Sequence, residues 1–430
     1  MKKRKMGIWC LIFALCPFQI NILQAQAASD WPVGIEIAGE TAIVMDTSTK
    51  TILYEKNAYA QYYPASITKI MTALLAIENC GMDEYVVFSK DAVYKTEGSG
   101  ISRDVNEVMT MEECLYGLML ESANECAYAI AEHVGGNYET FIRMMNEKAA
   151  EIGCLHTHFN NPHGLPDENH YICAYDMALI ASKALESDLF RQIIGTKSYK
   201  IPPTNKHEEE TPLRNSHKMI NPYDTAKYLY EGCIGGKTGY TDAAGNTLVT
   251  FAERNGMTLV CVVLKEKVGM QYQDTIALFD NCFEQYQAWK IGENEKYYTL
   301  ERMQSELSIE EGEILSLNPN DYIVLPKDAV FTDASVTLIK DTEETEQAGF
   351  LDYTYGDRQV GRAEITLLRE EETEALETEE EIDSTESLQT RSDKKAGKSI
   401  VFPTVLFGVI LLGAGFFVWY LKKKDHIFRF

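Results

Sequence analysis

Positive charge is scarce in this sequence. Its 430 residues include 40 lysines and arginines against 65 aspartates and glutamates, which gives a formal net charge of −25. Binding to nucleic acid needs a basic surface, so this balance argues against a nucleic-acid partner. Hydrophobic residues are not scarce, since they make up 45% of the chain, and 10% of the residues are aromatic. The chain therefore has the material for a packed core.

Cysteine spacings typical of metal sites are missing. None of the 10 cysteines belongs to a Cys-x-x-Cys pair or has a histidine cluster nearby, so we expect no metal and no cofactor. Two cysteines fall in the export signal described below, and the remaining ones could form disulfides in an exported protein. Several lie in apolar runs such as residues 259–263, which favours buried free thiols. The sequence contains no internal repeat that we can detect.

The start of the chain has the pattern of an export signal. Four basic residues precede an apolar run at residues 8–18, and residues 25–27 (Ala-Gln-Ala) form a small-x-small cleavage site. An uncleaved N-terminal anchor is the alternative, but the run is short and Pro17 interrupts it. We therefore expect a signal peptide at residues 1–27.

The C-terminal part predicts a tether to the membrane. Residues 369–399 are rich in glutamate and poor in apolar side chains, which indicates a disordered acidic stalk. The uncharged residues 400–421 would form a helix of about 33 Å, enough to cross a hydrocarbon core of about 30 Å. Three lysines follow and favour a cytoplasmic tail at residues 422–430. A buried core helix is the alternative for the apolar segment.

The body of the chain predicts an α+β fold. Four β-prone runs pair into two hairpins: 42–45 with 51–54, and 246–252 with 257–264. The stretch from Pro64 to about Ser187 is mostly helical in pattern. We therefore expect an antiparallel sheet from both chain ends with a helical insert, forming a domain at residues 30–292. Short β-like runs at residues 296–368 predict a small all-β domain.

Ser66 and Lys69 are placed as a nucleophile and its base. Apolar residues follow Ser66 at helical spacing, which predicts a buried helix that starts there. A serine at a helix N-terminus lies beside backbone N–H groups that stabilise the negative charge formed during attack on a carbonyl. Lys69 lies one turn further on, and an amine among apolar residues can lose its proton and act as a base. A capping serine with a lysine that reaches solvent is the simpler alternative.

Ser122-Ala123-Asn124 lies between two helical stretches. A turn there would direct both polar side chains into a cleft, with Ser122 as a proton shuttle and Asn124 as an amide that binds substrate backbone and steadies the lysine. An ordinary cap between two helices explains the segment equally well.

Lys237-Thr238-Gly239 follows two glycines and precedes the second hairpin. This pattern predicts a strand edge that a peptide-like substrate can approach closely, with a cation and a hydroxyl for a carboxylate. A glycine-rich bulge is the alternative when the segment is considered alone.

In this order, the three segments resemble the serine-type D-alanyl-D-alanine carboxypeptidases, the low-molecular-weight penicillin-binding proteins with a serine β-lactamase-like fold. The resemblance covers about Glu36 to Gln287, and Asn161-Pro162-His163-Gly164-Leu165 within it is characteristic. It implies a hydrolase of peptidoglycan biosynthesis and cell shape that releases the terminal D-alanine of stem pentapeptides. It also implies inhibition by β-lactams, and, with the export signal and anchor, a single-pass membrane protein whose catalytic domain faces the cell wall.

The resemblance also implies residue roles. Ser66 would be the acylated nucleophile, Lys69 the general base and Ser122 the proton carrier, assisted by Lys237. The backbone N–H groups of Ser66 and Tyr240 would form the oxyanion hole. Substrate binding would fall to a set of residues from two segments: Asn124, Lys237, Thr238, Gly239 and Tyr240.

Two other functions fit part of this pattern. A secreted β-lactamase is the nearest alternative, although Glu168 does not stand in the Glu-x-x-x-Asn context that drives rapid deacylation. A membrane-tethered sensor that binds β-lactams without turnover is another. We interpret His163 and His170 as structural loop residues, and neither Arg214 nor Arg254 is a clear ligand for the substrate carboxylate. The sequence does not determine the oligomeric state.

Overall fold

The computed structural model describes residues 31–309, 314–341 and 347–368. The predicted signal peptide, acidic stalk, transmembrane helix and cytoplasmic tail lie outside these residues. Within the described ranges, none of the helices has both the length and the hydrophobicity needed to cross a bilayer. The elements discussed below belong to one compact unit, apart from Ile314 and Leu368 at their margins.

The strands occur near both ends of the described chain and in short pairs between. In chain order they are β1 (Thr41–Asp46), β2 (Ile52–Lys56), β3 (Tyr85–Val87), β4 (Val108–Thr110), β5 (Ser198–Ile201), β6 (Thr211–Arg214), β7 (Cys233–Thr241), β8 (Gly245–Arg254), β9 (Met257–Glu266), β10 (Tyr286–Lys290), β11 (Ile314–Leu317), β12 (Tyr322–Pro326), β13 (Ser335–Lys340), β14 (Gln347–Tyr355) and β15 (Arg358–Leu368).

Most helices lie between β2 and β7. In chain order they are α1 (Lys69–Asn79), α2 (Lys90–Tyr94), α3 (Met111–Leu120), α4 (Asn124–Gly135), α5 (Tyr138–Ile152), α6 (Ala174–Leu185), α7 (Asp188–Gly195), α8 (Met270–Gln285), α9 (Ile291–Asn294) and α10 (Leu300–Leu307).

The central sheet has five antiparallel strands in the order β2-β1-β9-β8-β7. The β1–β9 pairing places Thr41 opposite Leu264, so the sheet joins distant parts of the chain around the helical insert. Both predicted hairpins and the α+β architecture are confirmed. Strand β7, which carries Lys237, is an edge strand of this sheet, as the glycine-rich pattern predicted.

The central sheet is buried on both faces because its strands alternate between two cores. On β9, Val260 and Val262 belong to the core formed with the helical insert, whereas Leu259, Cys261 and Val263 belong to the core formed with α8. This double burial explains the continuous apolar run of β9. The helical insert, which carries several residues of the site, therefore packs against one face of a sheet that is buried on both sides.

Residues 296–368 differ from the all-β prediction. They contain β11, β13, β14 and β15 in a four-stranded sheet, but also helix α10. The all-β expectation was wrong for α10. Thr299 caps this helix by accepting a hydrogen bond from the backbone N–H of Arg302. Met303 and Leu307, one turn apart, are buried and hold the helix against the β-sheet core. Strand β12 pairs with β10 instead of joining the larger sheet.

The eight cysteines of the described chain are all free thiols, and six are buried. The preference for buried free thiols over disulfides is therefore confirmed for these residues.

Candidate active site

Ser66 lies on a tight 3-10 turn, Ala65–Thr68, that leads directly into α1. The regular α-helix starts at Lys69, three residues later than the apolar spacing predicted. Ala65, just before the serine, is buried and has a φ of 52°, a conformation that an L-residue adopts at a cost of about 1–2 kcal/mol. The turn thus holds Ser66 in a conformation that its surroundings must maintain.

Lys69 is fully buried, and its amine contacts three oxygen atoms. Lys69 Nζ lies 3.1 Å from Ser66 Oγ, 2.6 Å from Asn124 Oδ1 and 2.6 Å from the carbonyl oxygen of His163. Burial, together with the nearby positive charge of Lys237, holds the pKa of Lys69 well below its usual value. An amine with a lowered pKa, in contact with a hydroxyl, is suited to accept the hydroxyl proton.

Ser122 and Asn124 lie at the junction between α3 and α4, as predicted. Ser122 has a φ of 62°, and its buried Oγ has no hydrogen-bond partner within the described chain. Asn124, the first residue of α4, binds Lys69 through Oδ1 and donates from Nδ2 to the carbonyl oxygen of Glu97 at 2.5 Å. The amide is therefore fixed in place, whereas the Ser122 hydroxyl is available to another group.

Lys237, Thr238 and Gly239 lie on β7 beside the Ser66 turn. A Cβ added to Gly239 would lie 2.9 Å from the backbone nitrogen of Ser66 and 2.3 Å from Thr247 Oγ1, so only glycine permits this close approach. Burial lowers the pKa of Lys237 to about 7, against the opposing charge of Glu121.

The β7 side chains have few partners of their own. Lys237 Nζ donates to the carbonyl oxygen of Thr238 at 2.9 Å, and Thr238 Oγ1 lies 3.0 Å from Ser216 Oγ. Lys237 is fully buried and Thr238 is half-buried. The strand thus brings a titratable amine and a hydroxyl to the edge of the sheet next to Ser66.

A cleft of about 600 Å³ opens onto this arrangement. Its walls include Ser66, Asn124 and Tyr240 among the predicted residues, whereas Lys69, Ser122 and Lys237 are buried behind them. The cleft is also lined by residues of the loop before Ile101 and of the loop after Asn161: Glu97, Gly98, Ser99, His163, Gly164 and Leu165. The structure therefore brings the three sequence segments into one site.

Several residues that shape the site were not predicted from the sequence. The carbonyl oxygen of Pro64 accepts a hydrogen bond of 2.8 Å from Thr247 Oγ1, which ties β8 to the chain before Ser66. Gly164 has a φ of 92°, and a Cβ there would lie 1.9 Å from the carbonyl oxygen of Ala65. In the sequence, Gly164 belongs to the segment Asn161–Leu165 that supports the family resemblance, but its context predicts no contact with the turn.

His170 contacts the Ala65–Thr68 turn through Thr68. It is fully buried, its Nδ1 accepts from the backbone N–H of Asn160 at 2.9 Å, and its Nε2 lies 2.9 Å from Thr68 Oγ1. Burial lowers the pKa of His170 and of His163 to about 3. Both rings are therefore neutral at ordinary pH, and their contacts are those of structural residues.

The two candidate arginines contact other side chains. Arg254 pairs with Asp280 at 3.6 Å and lies opposite Met257, near the end of β8 that is distant from Lys237. The guanidinium of Arg214 stacks over the ring of Tyr223 at 3.7 Å. Neither arginine lines the cleft.

Comparison with known proteins identifies the family. The peptidase S11 family model, described as D-alanyl-D-alanine carboxypeptidase, matches residues 24–268. The chain is 33% identical over 290 residues to the D-alanyl-D-alanine carboxypeptidase DacF of Bacillus subtilis, covering 65% of this chain and 70% of that protein. It is 32% identical over 247 residues to the carboxypeptidase DacB2 of Mycobacterium tuberculosis, covering 56% and 81%.

Solved structures show the same fold. The Streptomyces K15 DD-transpeptidase matches with a TM-score of 0.54 and 29% identity, covering 59% of this chain and 100% of that chain. A D-alanyl-D-alanine carboxypeptidase from Mycobacterium tuberculosis matches with a TM-score of 0.54 and 28% identity, covering 60% and 95%. The resemblance inferred from the three motifs is confirmed: the chain belongs to the peptidase S11 family of serine-type D-alanyl-D-alanine carboxypeptidases.

Proposed function

We propose that the protein removes the terminal D-alanine from peptidoglycan stem pentapeptides through an acyl-enzyme at Ser66. The observation that carries this proposal is the 3.1 Å contact between Lys69 Nζ and Ser66 Oγ in a buried setting, with Asn124 Oδ1 fixing the amine from the other side. A buried amine whose pKa is lowered by burial, in contact with a serine hydroxyl, is the arrangement of a nucleophile and its general base.

The acylation step follows from these contacts. Neutral Lys69 takes the proton of Ser66 as Oγ attacks the carbonyl carbon of the penultimate D-alanine, and the backbone N–H groups of Ser66 and Tyr240 bind the oxyanion. The proton then reaches the leaving nitrogen through Ser122, whose hydroxyl is otherwise unpartnered, assisted by Lys237. The C–N bond breaks, D-alanine leaves, and an ester remains on Ser66. Water then hydrolyses the ester and regenerates the serine.

Lys237 and Thr238 are proposed to bind the terminal carboxylate. Burial lowers the pKa of Lys237 to about 7, and a carboxylate placed beside the amine would favour its charged form. Asn124 presents its side-chain amide at the cleft and would contact the peptide backbone of the substrate. Gly239 leaves room for the peptide to lie along β7.

β-Lactams would acylate the same serine, because their strained amide presents the same carbonyl to Ser66. Hydrolysis of this adduct is expected to be slow. Glu168 is exposed to solvent and does not line the cleft, so it is not positioned to activate a deacylating water. This observation favours a carboxypeptidase over a β-lactamase.

Mass spectrometry of penicillin-treated protein tests the assignment. We expect one covalent adduct on the peptide that contains Ser66, lasting for many minutes, and no adduct in the Ser66→Ala variant. Ser99→Ala, which removes a different cleft hydroxyl, is the matched control and should still be labelled. An adduct on another residue would overturn the assignment, and rapid penicillin turnover would favour a β-lactamase.

We further propose that the catalytic unit is exported and tethered at the cell wall by the 400–421 helix, with the acidic stalk at 369–399 as a spacer. The support is the sequence pattern alone: a signal at 1–27, an uncharged segment and three lysines after it. Protease treatment of intact cells tests this topology. The catalytic unit should be digested from outside, and truncation before residue 400 should release it into the medium.

A further inference from the structure

A cysteine, a glutamate and a histidine meet on the surface away from the cleft. One ligand atom from each of Cys80, Glu84 and His133 lies within 4.8 Å of the others. The closest pair is His133 Nε2 and Glu84 Oε2, at 2.9 Å. Cys80 and Glu84 are four residues apart, but His133 lies 49 residues after Glu84, so the sequence spacing gave no signal for the cluster.

We propose that Cys80, Glu84 and His133 form a zinc-binding site. A thiolate, an imidazole and a carboxylate are the ligand types that Zn²⁺ takes in proteins, and three protein ligands leave a fourth position for water. Metal–ligand bonds of about 2.0–2.3 Å set tetrahedral ligand atoms about 3.3–3.8 Å apart. The closest pair lies at 2.9 Å and the other separations are at most 4.8 Å, so rotamer adjustments of about 1.5 Å or less would bring the three atoms into this range.

The backbone that carries the ligands is already fixed. Cys80 caps the C-terminal end of α1, and its N–H donates to the carbonyl oxygen of Ala76. The carbonyl oxygen of Glu84 accepts from the N–H of Met111, the first residue of α3, at 2.8 Å. His133 lies in the last turn of α4. A metal ion bound here would connect the ends of α1 and α4 with the loop that carries Glu84.

The side chains have the accessibility that metal exchange requires. Cys80 is half-buried, and the side chains of His133 and Glu84 are 25% and 48% exposed. The second carboxylate oxygen, Glu84 Oε1, accepts from the N–H of Gly81 at 2.6 Å. Such a bond orients a ligating carboxylate and leaves Oε2 directed at the histidine.

The location links the site to the catalytic helices. Helix α1 begins at Lys69 and α4 begins at Asn124, and these two residues bind each other in the candidate active site. Cys80 and His133 lie at the opposite ends of the same helices. Zinc would therefore link the C-terminal ends of α1 and α4. This structural role does not depend on the proposed function.

Cobalt binding to the purified full chain tests the site. We expect one Co²⁺ per chain with a thiolate-to-cobalt charge-transfer band, displaced by Zn²⁺. Cys80→Ser should abolish the band and His133→Ala should weaken Co²⁺ binding at least tenfold. Cys233→Ser, at the other half-buried cysteine among the described residues, is the matched control and should leave the band unchanged. A band that is absent from the wild type, or that survives in Cys80→Ser, overturns the proposal.

Two measurements on the wild-type chain test the zinc site without any variant, so their results do not depend on whether a variant folds. Zinc at a hundred times its Kd should raise the Tm by roughly 3–4 °C. Zinc should also protect Cys80 from iodoacetamide, as followed by mass spectrometry of its peptide, while Cys233 stays as reactive as before. Equal alkylation of Cys80 with and without zinc would overturn the proposal.

Discussion

Lys69 Nζ lies 3.1 Å from Ser66 Oγ, one helical turn away on a buried face. Because this amine is the only proton acceptor assigned to the serine, its removal should stop acylation. We expect Lys69→Met to lower the rate of penicillin acylation by about 10²–10⁴-fold. Stopped-flow or gel-based labelling measures this rate, and a cooperative melting transition shows that the variant is folded. A rate within tenfold of the wild type would exclude Lys69 as the base.

Gly164 and Gly153 offer a matched pair for testing how the Ala65–Thr68 turn is held in place. Both have a φ of 92°, but a Cβ at Gly164 would collide with Ala65, whereas a Cβ at Gly153 meets nothing within 4 Å. Either alanine costs about 1–2 kcal/mol for the backbone conformation. Only Gly164→Ala should displace Ser66 and reduce acylation, by about 100-fold or more. If both variants kept wild-type acylation rates, the turn would not depend on this contact.

Ser122 and Ser182 have buried hydroxyls that lack a partner within the described chain, but only Ser122 lies at the active-site junction. Ser122→Ala should reduce kcat for D-alanine release by about 10²–10⁴-fold, because a proton carrier to the leaving nitrogen is lost. Its free energy of unfolding should change little, since no bond is broken. Ser182→Ala, in α6, should leave kcat unchanged. Equal kcat values for the two variants would remove Ser122 from the mechanism.

Lys237 should destabilise the fold in a pH-dependent way. Its pKa is about 7 in the folded protein and 10.5 for the ordinary side chain, so between these values the unfolded chain binds one more proton than the folded one. The free energy of unfolding should therefore rise as the pH increases from about 7 to 10.5, and the gain is lost as the pH falls again. Lys237→Met should increase the free energy of unfolding by roughly 2–5 kcal/mol at pH 6.

The same gain should shrink by more than half at pH 9, where the unfolded lysine is still charged but the folded one is neutral. Urea unfolding at the two pH values measures both numbers. A gain that is independent of pH would mean that Lys237 is charged in the fold throughout. The variant should also lose D-alanine release, because the proposed carboxylate ligand is gone.

The sequence was sufficient to predict the framework of the site. The helical insert, the two hairpins and the edge position of Lys237 followed from periodicity and from glycine placement, because those signals are local and strong. The order of Ser66, Ser122 and Lys237 then identified the family. The roles assigned to these residues, including Ser122 as proton carrier, remain predictions that the experiments above address.

Other features depend on contacts that no local pattern encodes. The carbonyl oxygen of His163 binds Lys69 across 94 residues, and any residue type can supply a carbonyl. The short pairs β3–β4 and β5–β6 contain too few residues to show alternation. Helix α10 was missed because a helix of 8 residues shows too few periods beside strand-like neighbours. The cluster of Cys80 and His133 exists only because two helix ends meet in the fold.

The most direct test of the central claim is the release of D-alanine from a pentapeptide that ends in D-Ala-D-Ala. The full chain should release one D-alanine per peptide with repeated turnover, and brief acid quenching should trap the acyl group as an ester on the peptide containing Ser66. Ser66→Ala should show neither product nor ester. D-Alanine release by Ser66→Ala, or no release by a folded wild-type protein that is acylated by penicillin, would contradict the account.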